Sequence, residues 1–309
     1  RHTFRWVITS TNGQSLPLGT SRNYSFTPND NGTYTVTFTV TDDDGGSNVS
    51  VATIEVRNIA PQNVSAGPNR TISEGDRLDF SATFLDPGSA DTHTFLWQVI
   101  STNGQVIPNS TDRILAFVAV DNGQYTVNLR VTDKDGAATA ESVIISVKNV
   151  APVARMVVEN QSSYLEGRLL TFHVDASDRG IRDTYDLTWT VAASSGQQIN
   201  NGTGPNFAFT PTDEGRYVIT VTASDNDGGS ASDAVTVNVL NQAPQRLTFQ
   251  AQSSAASGGS SSRTVFFSGT FLDVVGDSVR GTVTIEMPDG TKTTLPLVIQ
   301  AVSADLNRD

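Results

Sequence analysis

Apolar and polar residues alternate with a period of two along most of this chain. Tyr125, Val127, Leu129 and Val131 alternate with Thr126, Asn128, Arg130 and Thr132. The runs Tyr217-Val-Ile219-Thr-Val221 and Tyr34-Thr-Val36-Thr-Phe38-Thr-Val40 do the same. Successive strand side chains point to opposite faces, so this alternation predicts strands with one buried and one wet face, as in an antiparallel sandwich. Leu78/Phe80/Ala82/Phe84, Phe95/Trp97/Val99, Leu115/Phe117 and Val143/Ile145/Val147 supply further inward sets. Gly, Asn, Asp and Pro clusters separate the runs. No segment sustains a 3.6-residue period. The expectation is an all-β chain with almost no helix.

The pattern also recurs at long range. Trp6, Trp97 and Trp189 are 91 and 92 residues apart, and so are Tyr34, Tyr125 and Tyr217. Asp42, Asp133 and Asp225 keep the same spacing, as do Pro61, Pro152 and Pro244. A repeat of about 91 residues is the size of one β-sandwich module. The frame divides the chain into a partial module over 1–60 with C-terminal strands only, modules over 61–151 and 152–243, and a partial module over 244–309 with N-terminal strands only. It suggests a stretch of a longer array. Before each repeated Tyr stands an Asp and a Gly: Asp30-Asn-Gly32-Thr-Tyr34, Asp121-Asn-Gly123-Gln-Tyr125 and Asp213-Glu-Gly215-Arg-Tyr217. This predicts tyrosine corners, in which the phenol bonds back to the backbone just upstream and Gly allows the turn.

Composition narrows the function. Lys+Arg number 20 against 32 Asp+Glu, a net charge of −12, which excludes a generic binder of nucleic acid or anionic membrane. No apolar run reaches the ~18 residues of a membrane span. Cysteine is absent, which excludes thiolate catalysis, cysteine zinc sites and disulfides. His2, His93 and His173 occupy different places in the repeat. His173 reads as a half-exposed strand residue and His93 as a loop hydrogen-bonding residue. No nucleophile elbow, phosphate loop or zinc helix is present. The expectation is a non-enzyme.

The run Ser73-Glu-Gly75, Phe84-Leu-Asp86-Pro-Gly88, Asp91-Thr-His-Thr94, Trp97, Asp121-x-Gly-x-Tyr125, Val131-Thr-Asp133-Lys-Asp135-Gly136, Asn149-Val-Ala-Pro152 resembles tandem PKD repeats of bacterial surface and secreted proteins. These are immunoglobulin-like modules, and the resemblance covers essentially the whole chain. It departs where the family has Trp-x-Phe-Gly-Asp-Gly: here the chain reads Trp97-Gln-Val-Ile-Ser and Trp189-Thr-Val-Ala-Ala. The resemblance implies an extracellular spacer or adhesion module, in some members calcium-bound.

The acids are 25 Asp to 7 Glu, and they sit at loop ends in every repeat. In an immunoglobulin-like sandwich the B–C and F–G loops share one end, and the A–B and E–F turns share the other. Glu74, Asp121 and Asn149 of one copy are then expected to face Asp178, Asp183, Asp225 and Asp227 of the next. The first junction sets Asp30 and Asn58 against Asp86, Asp91, Asp133 and Asp135. The third sets Glu166, Asp213 and Asn241 against Asp273 and Asp277. Two like charges 4 Å apart repel by about 4 kcal/mol at an effective dielectric of 20, a cost that calcium would remove with six to eight oxygen ligands. Asp-x-Asp-Gly is equally ordinary turn chemistry, with Asp accepting local N–H bonds. Both readings stand at this level. Asp133-Lys-Asp135-Gly136 is not an EF-hand, because the third acid, the bidentate Glu and the flanking helices are missing.

The linkers Asn58-Ile-Ala-Pro61, Asn149-Val-Ala-Pro152 and Asn241-Gln-Ala-Pro244 each carry a proline, which stops strand pairing and stiffens the link. The segment Ser253–Ser262, rich in Ser, Ala and Gly, reads as a flexible A–B connection. The function expected is a secreted or surface-anchored array, stiffened by calcium, whose partners are its own neighbouring modules and a cell-surface protein or glycan. The alternative is an accessory segment of a large secreted hydrolase. A carbohydrate-binding module fits less well, since Trp6, Trp97 and Trp189 all fall at inward positions.

Overall fold

The structure is a computed structural model that describes residues 1–158, 163–243, 245–253, 265–272, 281–286 and 290–297. Asp273, Asp277 and nearly all of Ser253–Ser262 lie outside the described residues. The chain divides into two compact units, residues 1–150 with 179–182, and residues 151–178 with 183–309. Each is built from strands, and no helix occurs among the described residues.

In the first unit, the second repeat forms a sandwich. One sheet orders Arg70–Ser73, Ala138–Lys148, Gly123–Asp133 and His93–Ser101, with the first pair parallel and the others antiparallel. The facing layer pairs Arg77–Ser81 with Ile114–Val118 and Gln62–Ser65 with Thr83–Leu85. Burial follows the sequence alternation. Tyr125, Val127, Leu129 and Val131 are inside, as are Leu78, Phe80 and Ala82. Phe84, Phe95 and Val99 are partly buried against the same core. At its centre Trp97 is fully buried, and its indole N–H donates to the Asp112 carbonyl at 3.0 Å. A large aromatic surface leaves water here with its one polar atom satisfied.

The same unit contains the three-stranded sheet Thr3–Ser10, Gly32–Thr41 and Ser47–Val56. Trp6 holds the inward position of Trp97 and Trp189 but is less buried than either. Trp6 is only half-buried, covered by a stack on Phe38 (4.0 Å between centroids) and by Tyr24. The reason is structural: residues 1–60 place no second sheet over this face.

In the second unit the third repeat has two sheets. One orders Val153–Val158, Leu170–Ser177 and Asn206–Phe209; the other orders Tyr164–Leu165, Ser230–Leu240, Gly215–Asp225, Tyr185–Ala193 and Gly202–Thr203. Trp189 is fully buried and donates to the Gly204 carbonyl at 2.8 Å. Beyond it lie the hairpins Gln245–Ser253/Val265–Leu272 and Gly281–Glu286/Lys292–Leu297.

Candidate cation cluster and linker anchors

The three tyrosine corners are present. Tyr34, Tyr125 and Tyr217 donate to the carbonyls of Asp30, Asp121 and Asp213 at 3.1, 3.2 and 2.8 Å. The intervening Gly32, Gly123 and Gly215 have φ of 135°, 126° and 137°. A Cβ at these positions would meet a hydroxyl oxygen of Thr11, Thr102 or Ser194 at 2.6–2.7 Å, so only glycine fits. The sequence reading missed the rest of the network. The Asn103 amide donates to the Tyr125 phenol at 2.8 Å and to the Asp121 and Asn122 carbonyls. Gln105 Oε1 accepts from the phenol at 2.6 Å and from Val120 N. Asn12 and Gln14 do the same for Tyr34. The signal was the repeated Ser-Thr-Asn-Gly-Gln at 10–14 and 101–105, which begins at the last residue of the stretch that departs from the family pattern.

The Asp-x-Asp loops share one internal geometry. The first Asp accepts, through Oδ1, the backbone N–H groups two and four residues on. These bonds are 3.2 and 2.7 Å for Asp42, 3.0 and 2.9 Å for Asp133, and 2.9 and 2.7 Å for Asp225. This is the turn chemistry that Asp performs in many loops.

At the first junction, wholly inside the first unit, more is added. The Asn58 amide donates to Asp133 Oδ2 at 2.8 Å. Asp133 is buried. Burial pushes its carboxyl up, but the Asn58 amide and the N–H groups of Ala137, Asp135 and Gly136 outweigh that and hold it below the usual carboxylate range. Lys134 Nζ lies 2.6 Å from Asp91 Oδ1, 2.7 Å from Asp30 Oδ1 and 2.8 Å from Asp135 Oδ2. These acids raise the lysine above its ordinary range, Asp135 first, then Asp30 and Asp91. Lys134 in turn is the largest cause of the lowered Asp30 carboxyl.

A second group, Asp86, Asp91 and Asp133, has carboxylate oxygens within 4.8 Å of one another. Asp86 Oδ1 accepts from Gly88 N at 2.9 Å and Oδ2 contacts His93 Nε2 at 2.8 Å, the loop hydrogen bond expected of that histidine. Asp91 is shared by both groups. Its side chain is 1% exposed, and its Oδ2 has no hydrogen-bond partner. A Cβ at Gly88 would collide with that oxygen. A cavity of about 170 Å³ opens beside it, lined by Pro28, Asp30, Asn58, Ile59, Gly88 and Asp91.

The remaining predicted residues each lie within one of the two units. Glu74 is fully buried, and its Oε1 accepts from Val150 N in the linker at 2.6 Å. Glu166 repeats this on Gln242 N at 2.5 Å. Asp121 and Asn149 are half-buried in the first unit. In the second unit, Asp178 and Asp183 are half-buried on one loop and Asp227 is exposed on another. Thr184 and Asn226 tie these two loops together, by Thr184 N to Asn226 Oδ1 at 2.8 Å and Asn226 N to the Thr184 carbonyl at 3.1 Å.

The architecture is that of tandem immunoglobulin-like β-sandwiches. Residues 58–147 and 155–239 each match a family model described as a PKD domain, and residues 2–56 match one described as a bacterial Ig domain. The PKD matches span more than half of the chain, which therefore belongs to the PKD-domain family. The mouse (Mus musculus) dyslexia-associated protein KIAA0319-like protein is 29% identical over 225 residues, 67% of this chain and 20% of that protein. Internalin I of Listeria monocytogenes is 29% identical over 258 residues, 78% of this chain and 13% of that protein. The chain thus spans about a fifth or less of the length of these relatives. Among solved structures, a tetra-tandem repeat from the extending region of a large adhesion protein covers 96% of this chain and 80% of its own, at 18% identity and a TM-score of 0.35.

Proposed function

We propose that this chain is a non-enzymatic, load-bearing spacer within an extracellular adhesion protein. The observation that carries this reading is the linker anchor. In both complete modules a fully buried glutamate from the A–B turn grips a backbone N–H of the outgoing linker, Glu74 on Val150 and Glu166 on Gln242. Tension on the linker is then passed to a buried hydrogen bond beside a packed core, rather than to a frayed strand end. The matched families are modules of tandem arrays and not catalytic families. Relatives that are themselves long proteins fit a segment whose task is reach.

The acidic loops of the third repeat suit a hard cation of calcium's type. Asp178, Asp183, Asp225 and Asp227 offer carboxylate oxygen and no thiolate or imidazole, which matches calcium rather than a softer metal. Calcium there would screen the loop carboxylates from one another.

Single-molecule pulling tests the spacer role. Each complete module should unfold as a separate peak and release about 300 Å of chain, from some 90 residues at ~3.4 Å each. Unfolding without a resolvable force peak would sink the load-bearing reading. Calorimetric titration tests the ion: heat with a dissociation constant of roughly 10⁻⁴–10⁻³ M is expected, lost when Asp178 and Asp225 become Asn. A flat titration of the unaltered chain removes calcium from the account.

A further inference from the structure

We propose that Lys134 is a tethered cation that closes the first junction in place of a bound metal ion. An ammonium has three N–H donors. Here each meets one carboxylate, and the three carboxylates come from three different loops: Asp30 before the Tyr34 corner, Asp91 on the B–C loop and Asp135 on the F–G loop. Asp30 lies 104 residues from Lys134 in sequence and Asp91 lies 43, so the contact is tertiary and joins residues 1–57 to the second repeat. Asp91 is almost wholly buried, and a buried carboxylate needs a counter-charge to remain ionised.

Comparison of the loops separates this role from turn formation. The same position reads Asp42-Asp43-Asp44, Asp133-Lys134-Asp135 and Asp225-Asn226-Asp227. The internal Asp bonds are alike in all three, so the turn does not depend on the middle residue. Asn226 bonds within its own repeat, donating to Asp227 Oδ2 at 2.9 Å and accepting from Thr184 N. Only the second repeat places a positive charge there, in a chain with just 3 lysines. That charge reaches beyond its own turn, from Asp135 to Asp30 and Asp91, in a cluster whose oxygens would otherwise repel. Next to it, Ala90 N donates to the Asn29 carbonyl at 3.1 Å, a backbone bond across the same junction. The proposal starts from the same kind of acidic loop as the calcium reading and assigns this junction the opposite behaviour, independence from metal.

Hydrogen exchange at the Ala90 amide of the full chain reads the junction directly, with the Leu129 amide as the control for the core. In the unaltered protein, Ala90 protection should be equal in chelator and in millimolar calcium. Lys134→Asn, which copies the loop of the third repeat, should lose about tenfold or more of that protection in chelator, the size expected for a lost charge-assisted contact. Calcium should restore it. Asp30→Asn, which removes one carboxylate from the other side, should lower protection in the same direction. Leu129 should stay protected throughout. If both variants keep full Ala90 protection in chelator, the ammonium does not hold the junction. If Lys134→Asn loses protection and calcium does not restore it, the lysine does not stand in for a metal. If the unaltered protein gains protection with calcium, the junction is metal-dependent and the proposal is wrong. The calorimetric titration at Asp178 and Asp225 reports on the calcium reading separately.

Discussion

Glu74 Oε1 lies 2.6 Å from the Val150 amide nitrogen, joining the first turn of the second repeat to the chain that leaves it 76 residues later. The carboxylate is fully buried, and the backbone around it is tied in as well: Glu74 N donates to the Lys148 carbonyl at 3.0 Å and Gly75 N to that of Ala119 at 2.7 Å. A buried glutamate in a loop would usually suggest chemistry. Here the third repeat copies the contact with Glu166 and Gln242, so it recurs as part of the module's own architecture.

Replacement of Glu74 by Ala should therefore destabilise the second repeat by about 1–3 kcal/mol, the cost of leaving a buried N–H without its acceptor. The Val150 amide should exchange faster, while Gln242 in the third repeat keeps its protection. Glu74→Gln retains an acceptor oxygen and should lose less. Equal exchange at Val150 in Glu74→Ala and the unaltered chain would show that the contact carries no load.

The three tryptophans should answer differently to iodide. Trp97 and Trp189 are fully buried, whereas Trp6 is half-buried over an uncovered sheet face. Quenching should reach one third of the tryptophans, and Trp6→Phe should abolish it. Trp97→Ala or Trp189→Ala should cost its own module about 3–5 kcal/mol. Because the modules are separate cores, only one of the resolved melting transitions should move.

The core positions and the corners were legible in sequence because both depend on local pattern. Period-two alternation put Val127 and Leu129 inside, and Asp-x-Gly-x-Tyr announced a turn that glycine alone permits. The repeat of Ser-Thr-Asn-Gly-Gln marks Asn103 and Gln105 but not their partner: they meet Tyr125 from 22 and 20 residues away, across a loop with no strand pattern to locate it. Lys134 was hidden for the same reason. In sequence it is one charge between two aspartates, and its two distant acceptors become neighbours only when the loops fold together. The burial of Glu74 was equally unreadable, because a charged residue in a Glu-Gly turn is ordinarily solvated.

The Tyr125 phenol should show itself at high pH. Burial raises its pKa above the ordinary value of 10, because the phenolate would lose water and face the Asp121 charge. A folded pKa above the unfolded one means that its contribution to stability is complete below about pH 10 and is lost as pH rises through the folded value. The second repeat should thus weaken in alkali. Tyr125→Phe should cost about 1–3 kcal/mol at neutral pH, for the lost bonds to Gln105 and Asp121, and should flatten the alkaline decline. Denaturant melts at pH 8 and pH 11 test both; a Phe variant that declines in alkali as steeply as the parent would assign the effect to another group.

The first junction should fail at the other end of the pH scale. Lys134 is the main cause of the lowered Asp30 carboxyl. At Asp133, burial acts upward, but the Asn58 amide and three backbone N–H groups prevail and lower it. Both folded pKa values lie below the unfolded ones, so the stability they add is present above about pH 4 and is lost as pH falls through the folded values. Protonating Asp30 removes one counter-charge from Lys134, and protonating Asp133 weakens its hold on the linker residue Asn58. Protection of the Ala90 amide should therefore hold from pH 7 to pH 5 and fall below about pH 4, before the Leu129 core amide responds. Asp133→Asn should shift that fall least at Asp30 and most at the Asn58 contact. Lys134→Asn should remove the acid dependence due to Asp30 and leave that due to Asp133. A junction that opens in acid only together with the Leu129 core would show that these carboxylates add nothing local.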